Sequence, residues 1–256
     1  MALERLKLDG KVAIITGGAR GVGRGIASVL SEAGAAIVMT GRTASDLDRA
    51  VADLKSKGAR AFAVAGDVTN KADNERTVAA ALEEFGRIDI LINNAGGSPP
   101  QPFLEITSES FLQDFRFNVL SAFELTQLAA PHMLAAGGGS VVNISSRSAQ
   151  FGGKGFTTYS ACKAALEQLS KMMAWELAPK IRVNAISLGT IQTEGLESGL
   201  AMMGEGARES IARRVPLQRI GDAQSVGLAA LYLCSDECYS TASVIRVDGG
   251  IIAPLA

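Results

Sequence analysis

Histidine and cysteine are scarce in this chain, and neither sign of charge dominates it. Its 256 residues hold one histidine and three cysteines. The cysteines, Cys162, Cys234 and Cys238, are odd in number and unclustered, which argues against a disulfide framework. Cys234 and Cys238 have no histidine near them in sequence, so they make a poor zinc site. We read them as a semi-buried helix end and expect no metal. Lys+Arg number 25 and Asp+Glu 26, for a formal charge of −1. No broad basic field is available to hold nucleic acid, and no like-charge run suggests a binding tail. Long apolar runs are also missing. Charges interrupt residues 1–10, so there is no signal-peptide core, and no stretch is long enough to span a bilayer. These absences predict a soluble, cytoplasmic protein without nucleic-acid or membrane partners.

Apolar residues, by contrast, make up 47% of the chain, and charged residues only 20%. A large core is possible, and the length suits one domain over 1–256. Short apolar runs stand at 12–16, 36–40, 61–65, 88–92, 140–144, 182–187 and 244–247. Stretches of helical period lie between them, near 22–33, 44–57, 71–85, 109–136, 158–178 and 222–234. Several of the runs are continuous Val, Ile and Leu, as expected of strands buried on both faces. Parallel strands need crossovers, and the helices supply them. The alternation predicts an α/β fold, a doubly wound parallel sheet of about seven strands in three layers, of the Rossmann kind. Residues 190–215 break the pattern with two short helical stretches. An insert after a strand's carboxyl end sits where such folds bind ligands, so it is either a lid over a site or an ordinary surface insertion.

The first run leads into Thr16-Gly17-Gly18-Ala19-Arg20-Gly21-Val22-Gly23 and then a helical pattern. Glycines let the backbone turn tightly and approach a pyrophosphate, and the helix N-terminus offers free amides and a positive dipole end. Asn93-Asn94-Ala95-Gly96 follows the fourth strand. Tyr159-Ser160-Ala161-Cys162-Lys163 and Val247-Asp248-Gly249-Gly250 come later. With its T-G-x-x-x-G-x-G spacing, this set resembles the short-chain dehydrogenase/reductase family, in order and over nearly the whole chain. The resemblance implies an oxidoreductase that moves a hydride between a nicotinamide cofactor and a carbonyl or secondary alcohol. It implies cofactor contacts at Gly17, Gly21, Val22 and Gly23, at Asn94, Ala95 and Gly96, and at Gly189. Backbone near Ile191 and the Thr193 hydroxyl would meet the carboxamide. In the family, Asp67 and the Val68 amide contact adenine; Asp67 reads equally well as a cap for the helix near 71.

The second strand bears on cofactor choice. NAD sites carry an acid at its end for the ribose 2′-hydroxyl. Here Gly41 stands in that place and Arg42 follows, while Arg20 can reach the same point. A carboxylate would repel a 2′-phosphate, whereas a guanidinium binds it. We therefore expect NADP(H) rather than NAD(H).

Tyr159 and Lys163, four apart on a helical pattern, share one face. A tyrosine with a pKa of about 10 is a poor acid–base group at neutral pH, and a nearby ammonium should lower it. Tyr159 would then serve as general acid in reduction and general base in oxidation. Lys163 would also hold the nicotinamide ribose. Ser146 stands at the family's serine spacing before Tyr159 and would hydrogen-bond the substrate oxygen; Ser145 is its neighbour on the other face of the strand. Asn118, in Phe115-Arg116-Phe117-Asn118-Val119, is a poor helix-interior residue. In the family it bends the helix and holds a water that links the lysine to solvent. His132 ends the long helical stretch, where a cation is favoured structurally, and is not the base.

Two positions depart from the family. Leu188 stands where Pro often precedes Gly189, and Ala242 stands where Gly is usual. Residues 98–100, 150–156, Leu188 and 194–206 should frame the substrate. Phe151, Phe156, Leu196, Met202 and Met203 make that pocket largely apolar, with Gln150 and Ser148 as a polar end. An apolar ketone or alcohol is the expected substrate. A 3-oxoacyl-[acyl-carrier-protein] reductase is the alternative, although Leu134-Ala135-Ala136-Gly137 and Trp175 occupy the places of its basic docking patch. A catalytically silent NADP(H)-binding protein is a third reading. The family's habit predicts a homotetramer or homodimer.

Overall fold

Val12–Thr16 is buried along its whole length and forms β1. The computed structural model describes residues 3–251. β2 (Ala36–Gly41), β3 (Ala61–Ala65), β4 (Ile90–Asn93), β5 (Gly139–Ser146), β6 (Ile181–Leu188) and β7 (Val244–Val247) complete one sheet. Its order is β3-β2-β1-β4-β5-β6-β7, and every pairing is parallel. The expected doubly wound α/β sheet is therefore present, with seven strands. The winding reverses between β1 and β4, so their carboxyl ends diverge into a crevice, the usual ligand position in this topology.

Helices cover both faces. α1 (Gly21–Glu32), α2 (Ala44–Ser56) and α9 (Ala223–Cys234) bury Ile26, Leu30, Leu47, Leu54, Val226 and Leu233 against one face. α3 (Lys71–Phe85), α5 (Ser121–Ala135) and α6 (Thr157–Leu177) bury Val78, Leu125, Met133 and Met173 against the other. The anticipated interruption after β6 holds two short helices, α7 (Glu194–Met203) and α8 (Ala207–Arg214). No helix among the described residues is long and apolar enough to cross a membrane.

Three local expectations need correction. The long helix foreseen near 109–136 is three pieces: α4 (Ser108–Phe115), a π-helical turn at Arg116–Leu120, and α5. Asn118 sits in the widened turn, and such turns recur at functional sites. The cap of α3 is Asn70, whose side chain accepts from Ala72 N; Asp67 instead turns onto Thr69. Cys234 ends α9 while Cys238 lies beyond it, and both are buried rather than half-buried.

Ala242 adopts φ +58 as the chain enters β7, and its amide donates to Val183 O at 2.8 Å. The left-handed conformation costs a Cβ-bearing residue about 1–2 kcal/mol. Glycine gives back about 0.4–1 kcal/mol through its freer unfolded chain. Ala242→Gly is expected to raise the melting temperature by about 1–3 °C in calorimetry. An unchanged or lower value would mean that the strain is relieved locally.

Candidate active site

The glycine loop joins β1 to α1, and its shape follows from contacts that leave no room for side chains. A Cβ on Gly23 would stand 2.4 Å from Gly17 O and 2.5 Å from Asn94 Nδ2. Asn94 is pinned in turn: its Nδ2 donates to Thr16 O at 2.8 Å, and its backbone amide donates to Thr16 Oγ1 at 2.9 Å. The Ala95 amide also reaches Thr16 Oγ1, at 2.9 Å. Buried Thr16 thus ties the carboxyl ends of β1 and β4 across the crevice, a role that spacing did not suggest. Gly21 takes φ +50 beside the Thr193 methyl. No side chain caps the first turn of α1, so its amides are free to meet an anion. This uncapped turn, with glycines packed against it, fits a dinucleotide pyrophosphate.

Gly23→Ala offers a direct check. The added methyl would push against backbone and a pinned amide, an overpacking cost of about 1–3 kcal/mol. Affinity for the nicotinamide cofactor, titrated as NADPH and as NADH, should fall by roughly 10- to 100-fold in a fluorescence titration. Retained affinity would show that the loop can shift to accept the methyl.

A cleft of about 340 Å³ opens beside the loop. Val22, Asn94, Gly96, Ile144, Ser145, Ser146, Tyr159, Lys163, Leu188, Gly189, Ile191 and Thr193 line it, so half of the predicted positions converge there. Thr193 caps α7, its hydroxyl accepting from Leu196 N, which sets the insert against the cleft. Ser146 is the last residue of β5, and its hydroxyl accepts from Ser148 N at 3.1 Å. Ser145 is buried and donates to Glu167 Oε1 at 2.8 Å. The alternation along β5 therefore leaves Ser146 as the serine half-open to the cleft.

Lys163 is buried, and its Nζ donates to Ile144 O at 2.9 Å. It stands 5.7 Å from the centre of the Tyr159 ring. A Cβ on Gly96 would come within 2.8 Å of Lys163 Nζ and 2.9 Å of Asn118 Oδ1. Glycine here lets the β4 loop fold onto both side chains. Asn118 lines no part of the cleft itself. Its Oδ1 accepts from Gly97 N at 2.8 Å, and its Nδ2 donates to Gly97 O and Asp114 O.

Burial lowers the Lys163 pKa to about 8, while Cys162 and Glu167 pull it upward. Burial also raises the Tyr159 phenol above its ordinary value, and a hydrogen bond with Ser146 pulls it partly back. That direction is opposite to the lowering by Lys163 expected from spacing: desolvation is the larger cause, and what opposes it is the Ser146 hydrogen bond. At neutral pH the phenol keeps its proton and the lysine its charge.

These features place the molecule among known proteins. A family model described as enoyl-(acyl carrier protein) reductase matches residues 17–252. The 7alpha-hydroxysteroid dehydrogenase of Escherichia coli (strain K12) is 36% identical over 98% of each chain. The chain belongs to the short-chain dehydrogenase/reductase family. A 3-oxoacyl-[acyl-carrier-protein] reductase of Thermotoga maritima is 33% identical over 96% of this chain and 100% of its own. A solved 7 alpha-hydroxysteroid dehydrogenase, complexed with NADH and 7-oxo glycochenodeoxycholic acid, superposes with a TM-score of 0.93. It is 35% identical and covers 99% of this chain and 98% of its own. Membership of the family makes the chain an oxidoreductase acting between CH–OH and C=O groups with a nicotinamide cofactor.

The second-strand end is less open than its sequence suggested. Arg42 is exposed and, among the described residues, makes no ion pair. Arg20 pairs with Asp46 and lies 3.6 Å from Glu194. Asp46 is buried and also pairs with Arg49. At the end of β3, Asp67 N donates to Asp73 Oδ2 at 2.8 Å, and Val68 is buried. Of the apolar frame, Phe151, Phe156, Leu188 and Leu196 are half-buried and Met202 is exposed; the Met203 side chain lies outside the described residues.

Sequence reasoning missed two supports. Thr158, next to Tyr159, donates to Asp114 Oδ2 at 2.5 Å and so ties α6 to α4, one turn before Asn118. Arg147, next to Ser146, pairs with Asp248. Both join residues far apart in the chain, and no local pattern reports such pairs.

Proposed function

We propose that this protein is an NADP(H)-dependent reductase or dehydrogenase of an apolar ketone or secondary alcohol. The observation that carries this reading is the convergence of Ser146, Tyr159 and Lys163 in one cleft with Gly96, Gly189, Ile191 and Thr193. The glycine loop and the first turn of α1 would hold the pyrophosphate. Arg42, with Gly41 in place of an acid, would hold a 2′-phosphate. Asp67 and Val68 would meet the adenine. The cofactor, when bound, supplies or accepts the hydride. Ser146 holds the substrate oxygen, and Tyr159 gives it a proton in reduction. Lys163 stabilises the phenolate that Tyr159 becomes. Asn118, through Gly97, keeps the floor beside Lys163 in place. The α7–α8 insert would close over the substrate as a lid.

NAD(H) is the competing reading, because Arg20 is already engaged by Asp46 and Glu194. Titration with NADPH and NADH, followed by a ketone panel, separates the two. Tighter NADPH and turnover of a ketone support the proposal; equal or reversed preference removes the arginine clamp. No binding of either cofactor removes the enzymatic reading altogether. A carrier-protein substrate is disfavoured by exposed Leu134 and Trp175 where a basic patch would be needed. The same residues, with Phe123 and Met172, form an apolar face on α5 and α6 beside a groove of about 510 Å³. That face supports a dimer or tetramer, and light scattering checks the oligomer.

A further inference from the structure

Arg147 carries a guanidinium that is more than nine-tenths buried, and so is the Asp248 carboxylate it meets; the side chains are 6% and 8% exposed. Nε lies 3.0 Å from Asp248 Oδ2. Nη1 donates to Gln150 Oε1 at 2.6 Å, and Nη2 donates to Ile251 O at 3.0 Å. The guanidinium carbon lies over the Phe151 ring, 4.6 Å from its centre. The other Asp248 oxygen accepts from Gly250 N at 2.9 Å. Taking two charges out of water is costly, and an apolar pair of similar volume often serves stability as well. Stability alone therefore does not account for the pair, but its location does.

Arg147 follows Ser146 directly. Gln150 and Phe151 begin the segment 150–156, whose Phe156 packs edge-on against the cleft residue Tyr159. Asp248 backs Gly189 so closely that a Cβ on Gly189 would lie 2.6 Å from Asp248 Cα, and Gly189 N donates to Val247 O at 3.0 Å. One guanidinium thus connects the end of β5 with the wall at 150–151 and the turn behind Gly189. We propose that Arg147, braced by Asp248, is a positioning residue that fixes the Ser146 hydroxyl and the 150–151 wall against a bound substrate. Its rigid planar fork serves acceptors in several fixed directions at once.

This rests on the reductase reading, so wild-type turnover is measured first. The test compares Asp248→Asn and the double variant Arg147→Met/Asp248→Asn with the wild type. Melting temperature, NADPH affinity, and KM and kcat for a ketone from the panel are recorded separately. The double variant leaves no charge buried alone, so it should melt within about 3 °C of the wild type and keep its NADPH affinity. Its ketone KM should nevertheless rise, and its kcat fall, by about tenfold or more, because the serine and wall are no longer held. Asp248→Asn should show a smaller change in the same direction. A double variant that melts normally with unchanged KM and kcat overturns the proposal, as does a loss of NADPH affinity in parallel with the kinetics. If the wild type reduces no ketone, the reductase reading falls instead. Hydrogen exchange across 146–151 then decides: faster exchange in the double variant upholds the brace, and unchanged exchange overturns it.

Discussion

Replacing Tyr159 with phenylalanine is expected to lower ketone turnover by about 10²- to 10⁴-fold while leaving NADPH binding nearly unchanged. The change removes one oxygen and keeps the ring, which packs edge-on against Phe156 at 6.3 Å. The cofactor-side contacts of the glycine loop do not involve that oxygen. Of the groups lining the cleft, Tyr159 and Lys163 carry titratable protons, and Lys163 spends one on Ile144 O. Ser146 can hold a substrate oxygen, but it is far too weak an acid to supply a proton. Burial raises the phenol's pKa, so the acid form is present across the neutral range. Full activity in Tyr159→Phe, measured with saturating NADPH, would sink the acid–base assignment.

Lys163→Met should move activity and stability in opposite directions. Burial holds the ammonium at about 8, well below the ordinary lysine value of 10.5. Between those values the unfolded chain binds more protons than the native one, so stability rises with pH from about 8 toward 10.5. Below 8 the folded protein carries the full cost of a buried cation, on the order of 3 kcal/mol. Methionine removes that cost, offset by about 1 kcal/mol for the donor that Ile144 O loses. The variant should melt higher at pH 7 by roughly 5 °C, and the gain should fade as pH approaches 10. Turnover should fall by about two orders of magnitude or more, because the phenolate loses its cation. A variant that melts lower at pH 7 would mean that Lys163 is not desolvated as its burial indicates. For the wild type, reduction should be full below about pH 8 and decline above it as Lys163 loses its charge.

The sheet was legible because its strands are buried on both faces and leave unbroken apolar runs, as in β1 and β2. The glycine loop was legible because close approach excludes every other residue type, as the Gly23 contacts show. Period cannot report a single extra residue per turn, so the π-turn around Asn118 looked like ordinary helix. Nor could spacing foretell the Tyr159 pKa, because burial depends on what packs over the ring from elsewhere in the chain. The Arg20 pair is of the same kind: its partners Asp46 and Glu194 come from α2 and α7. The composition of the loop gave no sign of them.

The reversal of winding also governs how the molecule assembles. β1 pairs with β4 through Ala13 and Ile90, so a long loop must close before the crevice between them exists. Parallel pairings across such separations form slowly, since chain entropy is lost before contacts compensate. Until that closure the glycine loop has no Asn94 to brace it, and a dinucleotide has nothing to recognise. Cofactor added to a refolding mixture should therefore leave the rate of folding almost unchanged and slow unfolding instead, acting as a latch on the finished molecule.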